Sequence, residues 1–197
     1  TGNKFEAAEF HYTLADTLER VYNGEIKRLI INIPPRYGKT EIAVKMFIAW
    51  TLAKNPESKF IHLSYSDSLA LDNSSMTKEY INSDSFQKLW NIDLKKDSQS
   101  QKKWYTKQGG GVYATASGGA ITGFGAGTGG AIIIDDPLKP DDALSDVRRS
   151  FINNRYNTTI RSRVNDRDVP IIVIMQRLHE DDLSGFLLDG GSGEQWH

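Results

Sequence analysis

Short apolar runs alternate with longer segments of helical spacing along this chain. Leu29-Ile30-Ile31-Asn32-Ile33 runs into a double proline, and continuous apolar runs recur at Phe60 to Ser64, Ala131 to Ile134 and Ile171 to Met175. Strands covered on both faces of a parallel sheet read in this unbroken way. Val112 to Ala116 predicts a further strand, just before a glycine-dense stretch from Gly118 to Gly130. Between the strands, Thr40 to Lys54 carries Ile42, Met46, Ala49 and Leu52 at helical spacing and stops before Asn55-Pro56. Asp67 is placed to cap a helix running to about Ile81. Further helices are expected from Asp142 to about Arg163 and from Glu180 to Leu188, the last ended by Gly190-Gly191. Residues 84 to 108 are polar and mixed, with Trp90, Trp104 and Tyr105, and their pattern predicts no definite order of elements.

Strands separated by helices imply an α/β fold: a mainly parallel central sheet flanked by helices on both faces. In such sheets ligands bind at the carboxyl ends of the strands. Three of the strands end in chemistry-bearing residues, namely Arg36 to Thr40, Asp135-Asp136 and Gln176-Arg177. The candidate chemistry therefore collects on one edge.

The segment Pro34-Pro35-Arg36-Tyr37-Gly38-Lys39-Thr40 reads as a phosphate loop. Ile33 stands where the full Walker A pattern has its first glycine, so the match is partial. Gly38 lets the backbone approach phosphates, and the following helix points its unpaired N–H groups at them. Lys39 can neutralise the β- and γ-phosphates of ATP, and the Thr40 hydroxyl can ligate Mg²⁺. Ile132-Ile133-Ile134-Asp135-Asp136 reads as a Walker B strand. Asp135 is the expected Mg²⁺ carboxylate and Asp136 the expected catalytic base. Gly-Lys-Thr and Asp-Asp-Pro each also occur in plain turns; their order on strand ends of one sheet is what favours a nucleotide site. Gln176 or Arg177 could sense the γ-phosphate, whereas His179, Asp181 and Asp182 fit a helix start without any metal. Arg36 within the loop, and Arg161 or Arg163 late in the long helix, are candidates for the arginine that phosphoryl transfer uses in cis or in trans.

Composition narrows the picture. The 197 residues suit one domain, and 39% hydrophobic with 25% charged residues is a globular balance. The absence of cysteine excludes disulfides and thiolate-bound zinc, and points to a reducing compartment. No apolar run is long enough to span a bilayer, so no membrane partner is expected. The chain starts at Thr1 without a signal peptide or an initiator methionine, as a processed or truncated chain would. A net charge of −1 is unusual for a protein that neutralises nucleic-acid phosphates. Any DNA contact must come from a local patch, a neighbouring domain or several copies together.

Taken in order, Arg28 to Thr40, Ile61-His62-Leu63-Ser64-Tyr65-Ser66, Ile121-Thr122-Gly123, Ile132 to Pro137 and Gln176-Arg177-Leu178-His179-Glu180-Asp181-Asp182-Leu183-Ser184-Gly185 resemble the ATPase domain of the large terminase subunit of tailed bacteriophages. The resemblance implies a P-loop NTPase of the RecA-like, additional-strand type. It implies ATP-driven translocation of double-stranded DNA into a procapsid, in the cytoplasm of a bacterial host. It implies a homo-oligomeric ring docked on a portal protein and helped by a small terminase subunit, with Gln176 and its neighbours coupling hydrolysis to movement. Phe10-His11-Tyr12 lies where such proteins contact the adenine. Two departures stand out: Phe124 follows Thr-Gly where the family often has arginine, and Asp136 stands where related ATPases carry glutamate. The family's RNase H-like nuclease would begin where this chain ends, at Trp196-His197, so DNA cleavage is not expected of it. Other readings of the same motifs are a helicase-like nucleic-acid-dependent ATPase, a small-molecule kinase with a lid drawn from Arg148, Arg149, Arg155, Arg161 and Arg163, and a nucleotide-dependent assembly module with little turnover.

Overall fold

The structure, a computed structural model, describes residues 6–197, the side chains of residues 98 and 99 apart. Seven strands form one sheet: β1 (Arg28–Asn32), β2 (Lys59–Ser64), β3 (Leu94–Gln99), β4 (Lys103–Thr106), β5 (Gly111–Ala116), β6 (Ile132–Asp135) and β7 (Ile171–Met175). Their spatial order is β1-β7-β6-β2-β5-β4-β3. The first five in that order are parallel, and β4 and β3 extend the sheet antiparallel. All five expected strands are present. The two antiparallel ones arise within residues 84–108, where the alternation is interrupted and the β3–β4 register shifts.

The apolar runs are continuous because both sheet faces are covered. On one face Phe60, Ile133, Ile172 and Ile174 pack under α1 (Glu9–Tyr22) and α2 (Phe47–Lys54). On the other, Ile61, Leu63, Ile132, Ile134 and Val173 pack against Tyr156, Ile160 and Leu183. Each fully buried Ile or Leu stabilises the fold by about 1.5–3 kcal/mol. Trp104 is wholly buried on β4, and its indole N–H donates to Ser74 Oγ at 2.9 Å. That bond ties the antiparallel extension to α3 (Asp67–Asn82).

Helix starts differ from expectation in instructive ways. The helix after β1 opens as a π-helical stretch, Glu41–Met46, before α2. The wider turn rotates Met46 to the surface and buries Ala43, Val44 and Lys45 instead. Ser66, not Asp67, caps α3, accepting from Leu69 N; Asp67 accepts from Thr115 Oγ1 and Ala116 N across the sheet. The helix expected from Asp142 starts as a 3₁₀ turn, Pro140–Asp142, and proper α-helix begins only at Asp146, where Ser145 supplies the cap (α5, Asp146–Arg155). It then loosens into Tyr156–Ile160 and Arg161–Arg163. The last helix, α6 (Leu183–Leu188), starts three residues later than expected and is capped by a buried Asp182, and it is as short as α4 (Asp84–Leu89). Among the described residues no helix is long and apolar enough to cross a membrane.

Candidate nucleotide site

The loop leaving β1 turns sharply. Arg36 and Gly38 both have left-handed backbone, at φ +69° and +77°. Gly38 takes that conformation without the strain a side chain would add; Arg36 takes it as an uncommon non-glycine residue. The turn carries the chain across β7 toward β6. There the Thr40 hydroxyl meets both oxygens of Asp135, at 2.9 and 3.2 Å. Thr40 sits at the N-cap position but makes no side-chain cap bond, because its hydroxyl is turned to that carboxylate. Asp135 is 1% exposed. Burial, and then the neighbouring Asp136 carboxylate, push its pKa up to about 7, against the opposing pull of Thr40, Lys39 and Lys45.

Asp136 has its own unusual backbone, at φ +41°. Its N–H donates to Ile174 O at 2.8 Å, and its Oδ1 accepts from Gln176 N at 3.1 Å. Its Oδ2 is ion-paired with the buried Lys39 at 2.8 Å. The expected phosphate lysine and the expected base are therefore partners, and the end of β7 is fastened to them. Lys39, Thr40, Asp135, Asp136 and Gln176 are all brought together.

This donor set suits Mg²⁺. A buried carboxylate that resists ionisation, a second carboxylate and a hydroxyl offer hard oxygen ligands where a positive charge would relieve a real penalty. Among the described residues no cluster of three or more His, Cys, Asp or Glu could hold a metal alone. The remaining ligands would come from water and phosphate oxygens, as Mg²⁺ prefers.

The other candidates are placed less uniformly. Pro35, Arg36 and Tyr37 are exposed on the loop, and the Arg36 guanidinium makes no ion pair or hydrogen bond among the described residues. Arg177 is turned away from the loop into its own turn: it pairs with Asp182 at 3.0 Å and donates to the carbonyls of His179 and Glu180. Arg161 and Arg163 lie at the opposite edge of the sheet. Arg161 donates to Ser192 O at 2.8 Å and approaches Glu194, the partner of Arg28 at the start of β1. The Arg163 carbonyl accepts from Ala126 N, beside the residue that bridges to Lys59 at the start of β2. Within one chain they do not reach the loop after β1. Of the arginines a kinase lid would draw on, Arg149 is buried on Ala143 O and Asp146, Arg155 donates to Ser117 O and Gly119 O, and Arg148 is exposed near Asp142.

One contributor escaped the sequence reading. Lys45 is buried and paired with Glu41, which also accepts from the Tyr80 hydroxyl on α3. Their i,i+4 spacing is a visible signal, but it reads as a solvated helix pair until burial is known. His11 lies in the segment expected to meet the adenine. Its Nδ1 accepts from Ala8 N at 2.9 Å, which leaves Nε2 to carry the proton and donate to Tyr37 O at 3.2 Å. Helix α1 is thereby tied to the loop after β1. Beside this contact Phe10 and Tyr37 meet edge-on at 6.0 Å and rim an apolar cavity of about 610 Å³ floored by Leu29, Ile31 and Pro34. The region expected to meet adenine thus lies beside the loop.

No protein-family model matches the chain, and no curated protein matches it. Among solved structures, the crystal structure of the HK97 bacteriophage large terminase superposes with a TM-score of 0.60 over 98% of this chain, at 16% sequence identity. The match covers 38% of that chain, so the present chain spans well under half of its length. What the two share is the fold, which in this chain is a mostly parallel sheet with helices on both faces.

Proposed function

We propose that this chain is the Mg-ATP-hydrolysing motor domain of a phage large terminase, driving double-stranded DNA into a procapsid. The observation that carries the reading is the paired contact between strand ends, Thr40 to Asp135 and Lys39 to Asp136. In this reading Lys39 and the amides at the start of the following helix hold the phosphates, while Thr40 and Asp135 hold Mg²⁺. Mg²⁺ supplies neutralisation of the developing phosphate charge. Asp136 orients and deprotonates the attacking water once Lys39 turns to the phosphates. Gln176, bonded through its N–H to Asp136, passes the change to β7. Arg36, exposed on the loop, stands ready at the γ-phosphate, while Arg161 and Arg163 could act only on a neighbouring subunit's site. The fitting assembly is a homo-oligomeric ring on a portal protein, with a small terminase subunit, in the host cytoplasm.

The test is phosphate release from Mg-ATP over a wide range of chain concentration. Turnover per chain that rises with concentration, and falls by on the order of a thousandfold in Lys39→Ala and Asp136→Asn, supports a shared motor site. Turnover unaffected by either substitution contradicts it.

A further inference from the structure

The far end of the sheet carries a charge pattern that the nucleotide site does not use. Residues 94–107 contain Lys95, Lys96, Lys102, Lys103 and Lys107 against one acid, Asp97, a local +4 in a chain of net charge −1. Lys107 is neutralised by Asp93 at 2.7 Å. Lys96, Lys102 and Lys103 have no ion pair among the described residues. Lys102 lies near enough to Asp67 to help lower its pKa, but that carboxylate is engaged by Thr115 and Ala116 N.

These lysines are organised by aromatic rings. Tyr105, Tyr113 and Phe124 form a cluster with centroids 6.0 and 5.8 Å apart. Lys103 Nζ stands 5.4 Å from the Tyr105 ring and 6.0 Å from Phe124, Lys102 Nζ 5.7 Å from Tyr113, and Lys95 Nζ 5.9 Å from Tyr105. Lysines on an edge strand often only block unwanted pairing, and that would account for Lys95 and Lys96 on β3. It does not account for Lys102 and Lys103, whose ammonium groups are held over rings of β4, β5 and the glycine-rich stretch. Tyr113 and Phe124 are buried beneath them, so they are not open for stacking on bases. What remains is a fixed row of ammonium groups on a sheet end, matched to a polyanion's backbone and indifferent to its sequence.

We propose that this lysine-over-aromatic surface, centred on Lys102 and Lys103, binds the phosphate backbone of double-stranded DNA. It rests on the motor reading for the choice of duplex DNA, and it locates the contact that an acidic chain otherwise lacks. The patch begins on β4, three strand spacings or about 14 Å across the sheet from β6, and Lys103 stands level with Ile132, three residues before Asp135. DNA held there would sit on the same sheet as the nucleotide site without covering it.

The experiment measures affinity of the chain for a short labelled DNA duplex as a function of salt. Lys102→Ala/Lys103→Ala should weaken binding on the order of tenfold and lower the slope of log K against log salt by about 2. Lys102→Arg/Lys103→Arg should retain the slope, which separates lost charge from lost fold. The same charge change at the opposite end, Arg20→Ala/Lys27→Ala, should leave binding near wild type. DNA-independent phosphate release should be unchanged in the lysine-to-alanine pair. Affinity and slope unchanged in that pair, equal loss in the Arg20/Lys27 pair, or tighter single-strand binding that survives the substitution would each overturn the proposal. Because binding is read directly, a chain that hydrolyses no ATP still tests this surface, and loss of the surface leaves the nucleotide reading standing.

Discussion

The two ends of the sheet handle positive charge in opposite ways. At the β1–β7–β6 end, Lys39 and Lys45 are buried and each is pinned by a carboxylate. At the β5–β4–β3 end, Lys102 and Lys103 lie over rings with no carboxylate partner among the described residues. The first arrangement concentrates opposed charges in a low-dielectric place, where moving one partner changes the energy of the other strongly. The second leaves cations stacked on rings and facing water, where each contributes little alone and much together toward an extended polyanion. Burial therefore separates the proposed site of chemistry from the proposed surface for DNA.

The largest expected effect sharpens the contrast through packing. Ile133→Ala, in the fully enclosed centre, should cost about 3–4 kcal/mol of stability by denaturant titration, whereas Leu94→Ala on the edge strand β3 should cost markedly less. Equal losses would mean that the antiparallel end is as tightly integrated as the parallel centre.

A second effect follows from Asp135. Its folded-state pKa is raised to about 7 from 3.8, so ionising it opposes folding. Relative to Asp135→Asn, the nucleotide-free wild type should be fully competitive below about pH 4 and lose stability as pH rises to about 7, by up to a few kcal/mol. Parallel thermal melts of both proteins across that window check it; a constant difference would show that the carboxylate is not held in a penalising site. The comparison with the variant is needed because Asp67 and Asp168 have lowered pKa values and lose stability in the other direction, as pH falls.

The smallest effect lies in the loop. Gly38→Ala should cost about 1 kcal/mol, since φ is +77° there, even though an added Cβ would find only His11 at 3.5 Å and Ile42 at 3.9 Å. Its effect on nucleotide affinity should exceed its effect on the melting temperature, because the left-handed turn aims Lys39 and Thr40. A larger loss of stability than of affinity would make the turn a folding element first.

Strand ends made most of the candidate site legible in the sequence. Ala131 to Ile134 and Ile171 to Met175 are buried on both faces, so their runs are unbroken and their ends stand out, whereas the edge strand β1 buries Leu29 and Ile31 and leaves Asn32 exposed. The missing parts depend on distant approach. Lys39 pairing with Asp136 needs a loop to cross β7, and His11 reaching Tyr37 needs α1 folded back over β1. The placement of Arg161 and Arg163 was hidden for a related reason: the helix before them loosens twice, at Tyr156–Ile160 and Arg161–Arg163, and delivers them to the amino-end edge of the sheet. The antiparallel end was not legible because β3 is polar, its pairing shifts register, and Trp104 is defined by a hydrogen bond to α3.

The most direct test of the nucleotide site is calorimetric titration of ATP into the chain with and without Mg²⁺, beside Lys39→Ala and Asp135→Asn. The expected result is Mg-dependent binding at one site, lost in Lys39→Ala and made insensitive to Mg²⁺ in Asp135→Asn. Binding that is absent from the wild type, or equal in all three proteins, would contradict the assignment of this sheet edge to a nucleotide.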